Sequence, residues 1–113
     1  MTTYIFLDDI RLPPNDGNEW ILVRDIESAM RLLIEAWYCR DDDIVLSLDH
    51  DLGKDADGKD LPDGNDLVCM IERAAATEHS FRPKLQLHIH SDNCVEIQQM
   101  QAGIQSIYRF LGK

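Results

Sequence analysis

Two apolar runs that end abruptly in acid set the terms on which this chain can fold. Tyr4-Ile5-Phe6-Leu7 runs straight into Asp8-Asp9, and Ile44-Val45-Leu46 passes through Ser47-Leu48 into Asp49-His50-Asp51-Leu52-Gly53. Continuous apolar runs of this length fit strands buried on both faces, as in a parallel sheet, with the acids at their carboxyl ends. Carboxylates clustered around a histidine are costly in a core and useful at a metal or phosphate site. Ser47–Gly53 is therefore read as the reactive centre of the protein.

The rest of the chain extends the pattern. Arg11 to Asn18 holds Pro13-Pro14 and Asn15-Asp16-Gly17, which forbid a regular helix and favour a turn-rich loop. Trp20-Ile21-Leu22-Val23 reads as a short second strand. Asp25 is placed to cap a helix in which Ile26, Met30, Leu33 and Trp37 recur at helical spacing to about Cys39. Asp41-Asp42-Asp43 is a solvated turn before the third strand, Ile44 to Leu48. Lys54 to Gly64 is rich in acids and glycine but fails the calcium-loop pattern counted from Asp55, having neither the central glycine nor the final glutamate, and reads as a flexible loop.

Asn65-Asp66 is expected to open a helix with Leu67, Val68, Ile71, Ala74 and Ala75 on one face. Pro83 separates it from a fourth strand, Leu85 to His90. Asn93 and Glu96 have capping-box spacing ahead of a final helix striped with Ile97, Met100, Ile104, Ile107, Tyr108 and Leu111. Strands alternating with helices predict an α/β fold: one domain over residues 1–113, with a parallel sheet of about four strands and three main helices.

Charge narrows the partners. The formal net charge of −10 opposes binding along a nucleic-acid backbone, which needs cations to replace counterions, but leaves room for a small phosphorylated ligand. No apolar run approaches the roughly 20 residues that span a bilayer. The start, Met1 to Leu7, lacks the basic region of a signal peptide, so a cytoplasmic protein without a membrane partner is expected. Cys39, Cys69 and Cys94 show no paired spacing and are read as buried thiols.

In an open parallel sheet, ligands bind beyond the carboxyl ends of the strands. Asp8-Asp9, Asp49-His50-Asp51 and His90-Ser91-Asp92-Asn93 all fall there, and they converge if strands one, three and four are neighbours. Carboxylates gathered at one point repel one another unless a cation or protons intervene, so a hard divalent ion, Mg²⁺ or Mn²⁺, is one reading; solvated strand-end acids are the other. His50 and His90 are candidate proton carriers across a phosphodiester. His88 shares a face with His90 and reads as a packed strand residue, whereas His79 reads as exposed. Ser91 either donates to a phosphoryl oxygen or ends the strand. Arg11 either holds a phosphate or pairs with a nearby acid.

These residues resemble response-regulator receiver domains, with an acid pair after strand one, Asp49 after strand three and Ser91 after strand four. The receiver's first crossover helix is replaced here by the Pro13-Pro14 loop, and no fifth strand with its lysine follows. A closer resemblance is to the receiver-like family named for cyclic-phosphate processing, carried by Leu7-Asp8-Asp9-Ile10-Arg11, Ser47–Gly53, Gly64-Asn65-Asp66 and His90-Ser91-Asp92-Asn93. The last helix departs from that family in having Glu96 and Gln99 before Met100. The resemblance implies a receiver-like, flavodoxin-like sheet and a metal-dependent phosphoesterase acting on a cyclic phosphate of a nucleotide or RNA end. Asp8, Asp9, Asp49 and Asp51 would hold the metal; Asp49, His50, His90 and Ser91 would carry the chemistry; Arg11, Ser91 and Asn93 would hold substrate. The alternatives are a phosphoacceptor switch at Asp49 and a binding module without catalysis.

Overall fold

The computed structural model describes residues 2–38, 43–49, 52–78, 84–90 and 94–112. The elements run β1 (Thr2–Leu7), β2 (Trp20–Val23), α1 (Ile26–Tyr38), β3 (Asp43–Leu48), α2 (Gly64–Thr77), β4 (Lys84–Ile89) and α3 (Cys94–Phe110). The sheet has the order β2-β1-β3-β4 with every pair parallel. β1 and β3 are therefore central, and β4 lies beside β3. No helix forms between β1 and β2, where the prolines interrupt the backbone hydrogen bonding that a helix needs.

Strand alternation divides the sheet into two unlike faces. Ile5, Leu7, Ile44, Leu46, Leu48, Leu85 and Leu87 point to one side and join a single core with the apolar stripes of all three helices. The opposite side carries Tyr4 and Phe6, Trp20 and Leu22, Val45 and Ser47, and Gln86 and His88, with no helix over it among the described residues. Trp20 packs edge-on against both Tyr4 and Phe6, at centroid distances of 5.0 and 5.9 Å. Thus an aromatic cluster shelters part of a face that elsewhere meets solvent.

α1 and α2 begin where acids can accept their first free N–H groups. Asp25 Oδ1 accepts from Ser28 N at 2.8 Å, as its position predicts. α2 begins one residue earlier than expected, with Asp63 as its cap. Asp63 Oδ1 accepts from Asp66 N and Asp66 Oδ2 accepts from Asp63 N, a reciprocal box in which aspartate replaces the usual glutamate. A Cβ on Gly103 of α3 would run into Val68 Cγ1, so glycine there lets α3 lie close on α2.

Two expectations are corrected. Cys69 is exposed, because it projects from α2 on the side away from Leu67, Val68 and Ile71. His88 is also exposed, since its face of β4 has no covering helix. Cys39, His79, Pro83 and Asn93, the expected cap of α3, lie outside the described residues. No described helix is long and apolar enough to cross a membrane.

Candidate functional site

The sheet delivers its strand ends to one place. Asp8 N donates to Val23 O, Asp49 N to Leu7 O and His90 N to Leu48 O, so each of these residues is fixed by one more ladder bond beyond its strand. Asp8, Asp49 and His90 follow Phe6, Ser47 and His88 on the face that lacks a helix. A carboxylate oxygen from each of Asp8, Asp9 and Asp49 lies within 4.8 Å of the others. The small cavity here, about 170 Å³, is lined by these acids with Ile10 and Arg11.

Asp8 is the fixed member of the group. It is only 1% exposed. Its Oδ1 accepts from the N–H groups of both Ile10 and Arg11, each at 2.8 Å, and its Oδ2 meets His90 Nε2 at 3.0 Å. Burial acts to raise its pKa, but the N–H donors of Arg11 and Ile10 and the His90 ring outweigh it, so the carboxyl is held below its ordinary range. Asp8 is thus an ionised group whose orientation is set by three donors. Two of its roughly four acceptor positions are taken on Oδ1 and one on Oδ2, which leaves a lone pair on Oδ2 for a further partner.

The other side of His90 is equally defined. Its Nδ1 lies 2.7 Å from Ser47 Oγ, and its ring stacks on Phe6 at 4.3 Å with an interplanar angle of 7°. An ionised carboxylate can only accept, so Nε2 carries the proton toward Asp8; in the neutral ring Nδ1 then accepts from the Ser47 hydroxyl. Ser47, His90 and Asp8 therefore form one chain of hydrogen bonds that ends at the acidic centre. Arg11 Nη1 donates to His90 O at 2.8 Å, so the arginine side chain ties the segment after β1 to the carboxyl end of β4.

Two glycines determine how closely the loops approach. Gly53 has a φ of 92°, which favours glycine, and a Cβ there would stand 3.2 Å from Asp9 Oδ2. Gly64, at the start of α2, is buried, and a Cβ on it would overlap the carbonyl oxygen of Asp49. The Gly64-Asn65-Asp66 motif thus has a steric reason at its first residue.

Of the residues singled out from sequence, Asp8, Asp9, Asp49, His90 and Arg11 come together. His50, Asp51, Ser91 and Asn93 lie outside the described residues. Sequence reasoning assigned no individual role to Ser47 or to Arg24, whose Nη1 donates to Asp8 O at 3.3 Å. Strand alternation across adjacent parallel strands, placing Ser47 one step from Asp49 on the same face, was the available signal for Ser47.

Hard carboxylate oxygens with one member held ionised fit a hard divalent cation such as Mg²⁺ or Mn²⁺. No curated protein and no solved structure matches the chain. The family model for the cyclic-phosphate processing receiver domain matches residues 3–106, nearly the whole sequence. With the receiver-like sheet and its strand-end acids in place, the chain belongs to the cyclic-phosphate processing receiver domain family.

Proposed function

We propose that this domain opens a cyclic phosphate on a nucleotide or RNA end by hydrolysis dependent on a divalent metal. The observation that carries this reading is the convergence of Asp8, Asp9 and Asp49, whose oxygens lie within 4.8 Å of one another at the carboxyl end of the central strands. Asp9 and Asp49, both half-buried, and the remaining acceptor position of Asp8 would hold the metal, with Asp51 as a further donor. A bound Mg²⁺ or Mn²⁺ supplies charge neutralisation at the phosphoryl oxygens and a lowered pKa for water.

The chain's own residues do the positioning. His90 holds Asp8 in orientation, with Ser47 behind it and Phe6 against its ring face. Arg11, beside the acids, offers a planar cation for phosphate oxygens. Ring opening adds water across one P–O bond: the water oxygen joins phosphorus, the ester oxygen leaves, and the proton given up by water ends on that ester oxygen. His90, whose Nε2 faces the Asp8 carboxylate, and His50 are the candidate carriers of that proton. Ser91 and Asn93 are assigned to the substrate's oxygens by the family resemblance.

The test is a panel of nucleoside 2′,3′-cyclic phosphates incubated with and without Mg²⁺ or Mn²⁺, with acetyl phosphate in parallel. Metal-dependent appearance of a nucleoside monophosphate is the expected result. A stable acyl-phosphate mass shift from acetyl phosphate would instead identify Asp49 as a phosphoacceptor, and ligand recovered unchanged from a tight complex would identify a binding module.

A further inference from the structure

A second cavity lies across Arg24 from the acidic centre. It measures about 260 Å³, with apolar walls from Ile26, Leu52, Leu61 and Pro62. Two links join it to the carboxylates. Arg24 lines the cavity while its Nη1 donates to the Asp8 carbonyl. Leu61 N donates to Gly53 O at 3.0 Å, and Gly53 sits directly against the Asp9 carboxylate. The two cavities share no lining residue, and these two links are what couples one to the other.

The composition of the walls selects a ligand. Ile26 and Leu52 are buried and offer an apolar floor, and Leu61 is partly exposed at the edge. Arg24 supplies a planar cation able to stack on a ring. The remaining lining groups, Asp25 and Glu27, are acids that accept hydrogen bonds and repel further phosphate. A flat, uncharged ring with N–H donors at its edge satisfies all three kinds of wall. A cyclic phosphate closes on neighbouring hydroxyls of a carbon skeleton, so the substituent on that skeleton must lie next to the phosphate.

We propose that this cavity holds the base of a nucleoside, favouring a purine with a donor edge such as guanine, while the phosphate lies at Asp8, Asp9 and Asp49. The inference rests on the phosphate-processing reading of that centre. It assigns Leu61 and Glu27 to base recognition, apart from the three aspartates of the phosphate centre.

The experiment compares two stable phosphates, guanosine 3′-monophosphate and glycerol 2-phosphate, by calorimetric titration into the Mn²⁺-loaded protein. The base is expected to contribute about tenfold in affinity. Leu61→Trp should fill the cavity and remove that preference, with glycerol 2-phosphate binding unchanged. Glu27→Ala, at an exposed helix position, should lower only guanosine 3′-monophosphate binding, by about threefold. Equal affinity of the two ligands for the wild type, or a preference that survives both substitutions, would overturn the base cavity alone. If neither phosphate binds, the phosphate reading of the acidic centre fails as well.

Discussion

Two parts of this small molecule are dense in aspartate, and they use it in opposite ways. At the strand ends, Asp8 is buried and held by backbone and ring donors, with Asp9 and Asp49 close beside it. In the loop after β3, Asp55 Oδ1 accepts from Asp57 N and Lys59 N, and exposed Asp60 pairs with Lys54 Nζ at 2.7 Å. There the acids fold their own loop. The difference teaches that acid density alone marks nothing; what distinguishes the first cluster is a carboxylate whose burial is offset by fixed donors, so that its charge is held where solvent cannot screen it.

The largest effect should come from Asp8→Ala. It strips the acceptor from Ile10 N, Arg11 N and His90 Nε2 and leaves a cavity, at a cost of about 3 kcal/mol in denaturant unfolding. The lowered pKa of Asp8 fixes the sign of its pH dependence. Its stabilisation is fully present above the unfolded value of about 3.9 and is lost as pH falls through the lower folded value. The acid limb of the stability curve should therefore flatten in Asp8→Asn relative to the wild type, and an unchanged limb would contradict the assignment.

Next in size is a contrast between glycines. Gly64→Ala must push the Asp49 carbonyl or α2 aside, at about 2 kcal/mol and with weakened metal binding. Gly58, in the self-contained loop, has a φ of 79° and open space where a methyl group would stand, so Gly58→Ala should cost only about 1 kcal/mol of backbone strain and leave metal binding unchanged. Equal effects of the two on metal affinity would erase the distinction between the regions.

Smaller still is Ser47→Ala. Loss of its hydroxyl frees His90 Nδ1 and should weaken divalent-metal affinity about threefold to tenfold, with Ser47→Thr restoring it. At the bottom of the scale, Asp60→Asn should change neither the unfolding midpoint nor metal binding, because its partner Lys54 is itself well exposed.

Much of this was legible in the sequence because it follows from pattern. Apolar runs ending in acid located β1 and β3, and helical spacing located the stripes of α1, α2 and α3. The start of α2 was displaced because Asp63 and Asp66 form a cap box with an unusual partner. Asp8, Asp9, Asp49 and His90 were identifiable as strand-end residues, but the bonds among them were not. Ser47 and His90 are 43 residues apart and Asp8 and His90 are 82 apart, so their contacts depend on strand order and register. The exposure of His88 and Cys69 was likewise a property of which faces the helices cover.

The central claim, that Asp8, Asp9 and Asp49 hold a divalent metal, is tested most directly by a Mn²⁺ titration followed by calorimetry. Wild type and Asp49→Asn are compared, with circular dichroism checking that both are folded. Saturable binding of one equivalent by the wild type and its loss in the variant are predicted. Absence of saturable binding in the wild type, or unchanged binding in folded Asp49→Asn, would contradict the claim.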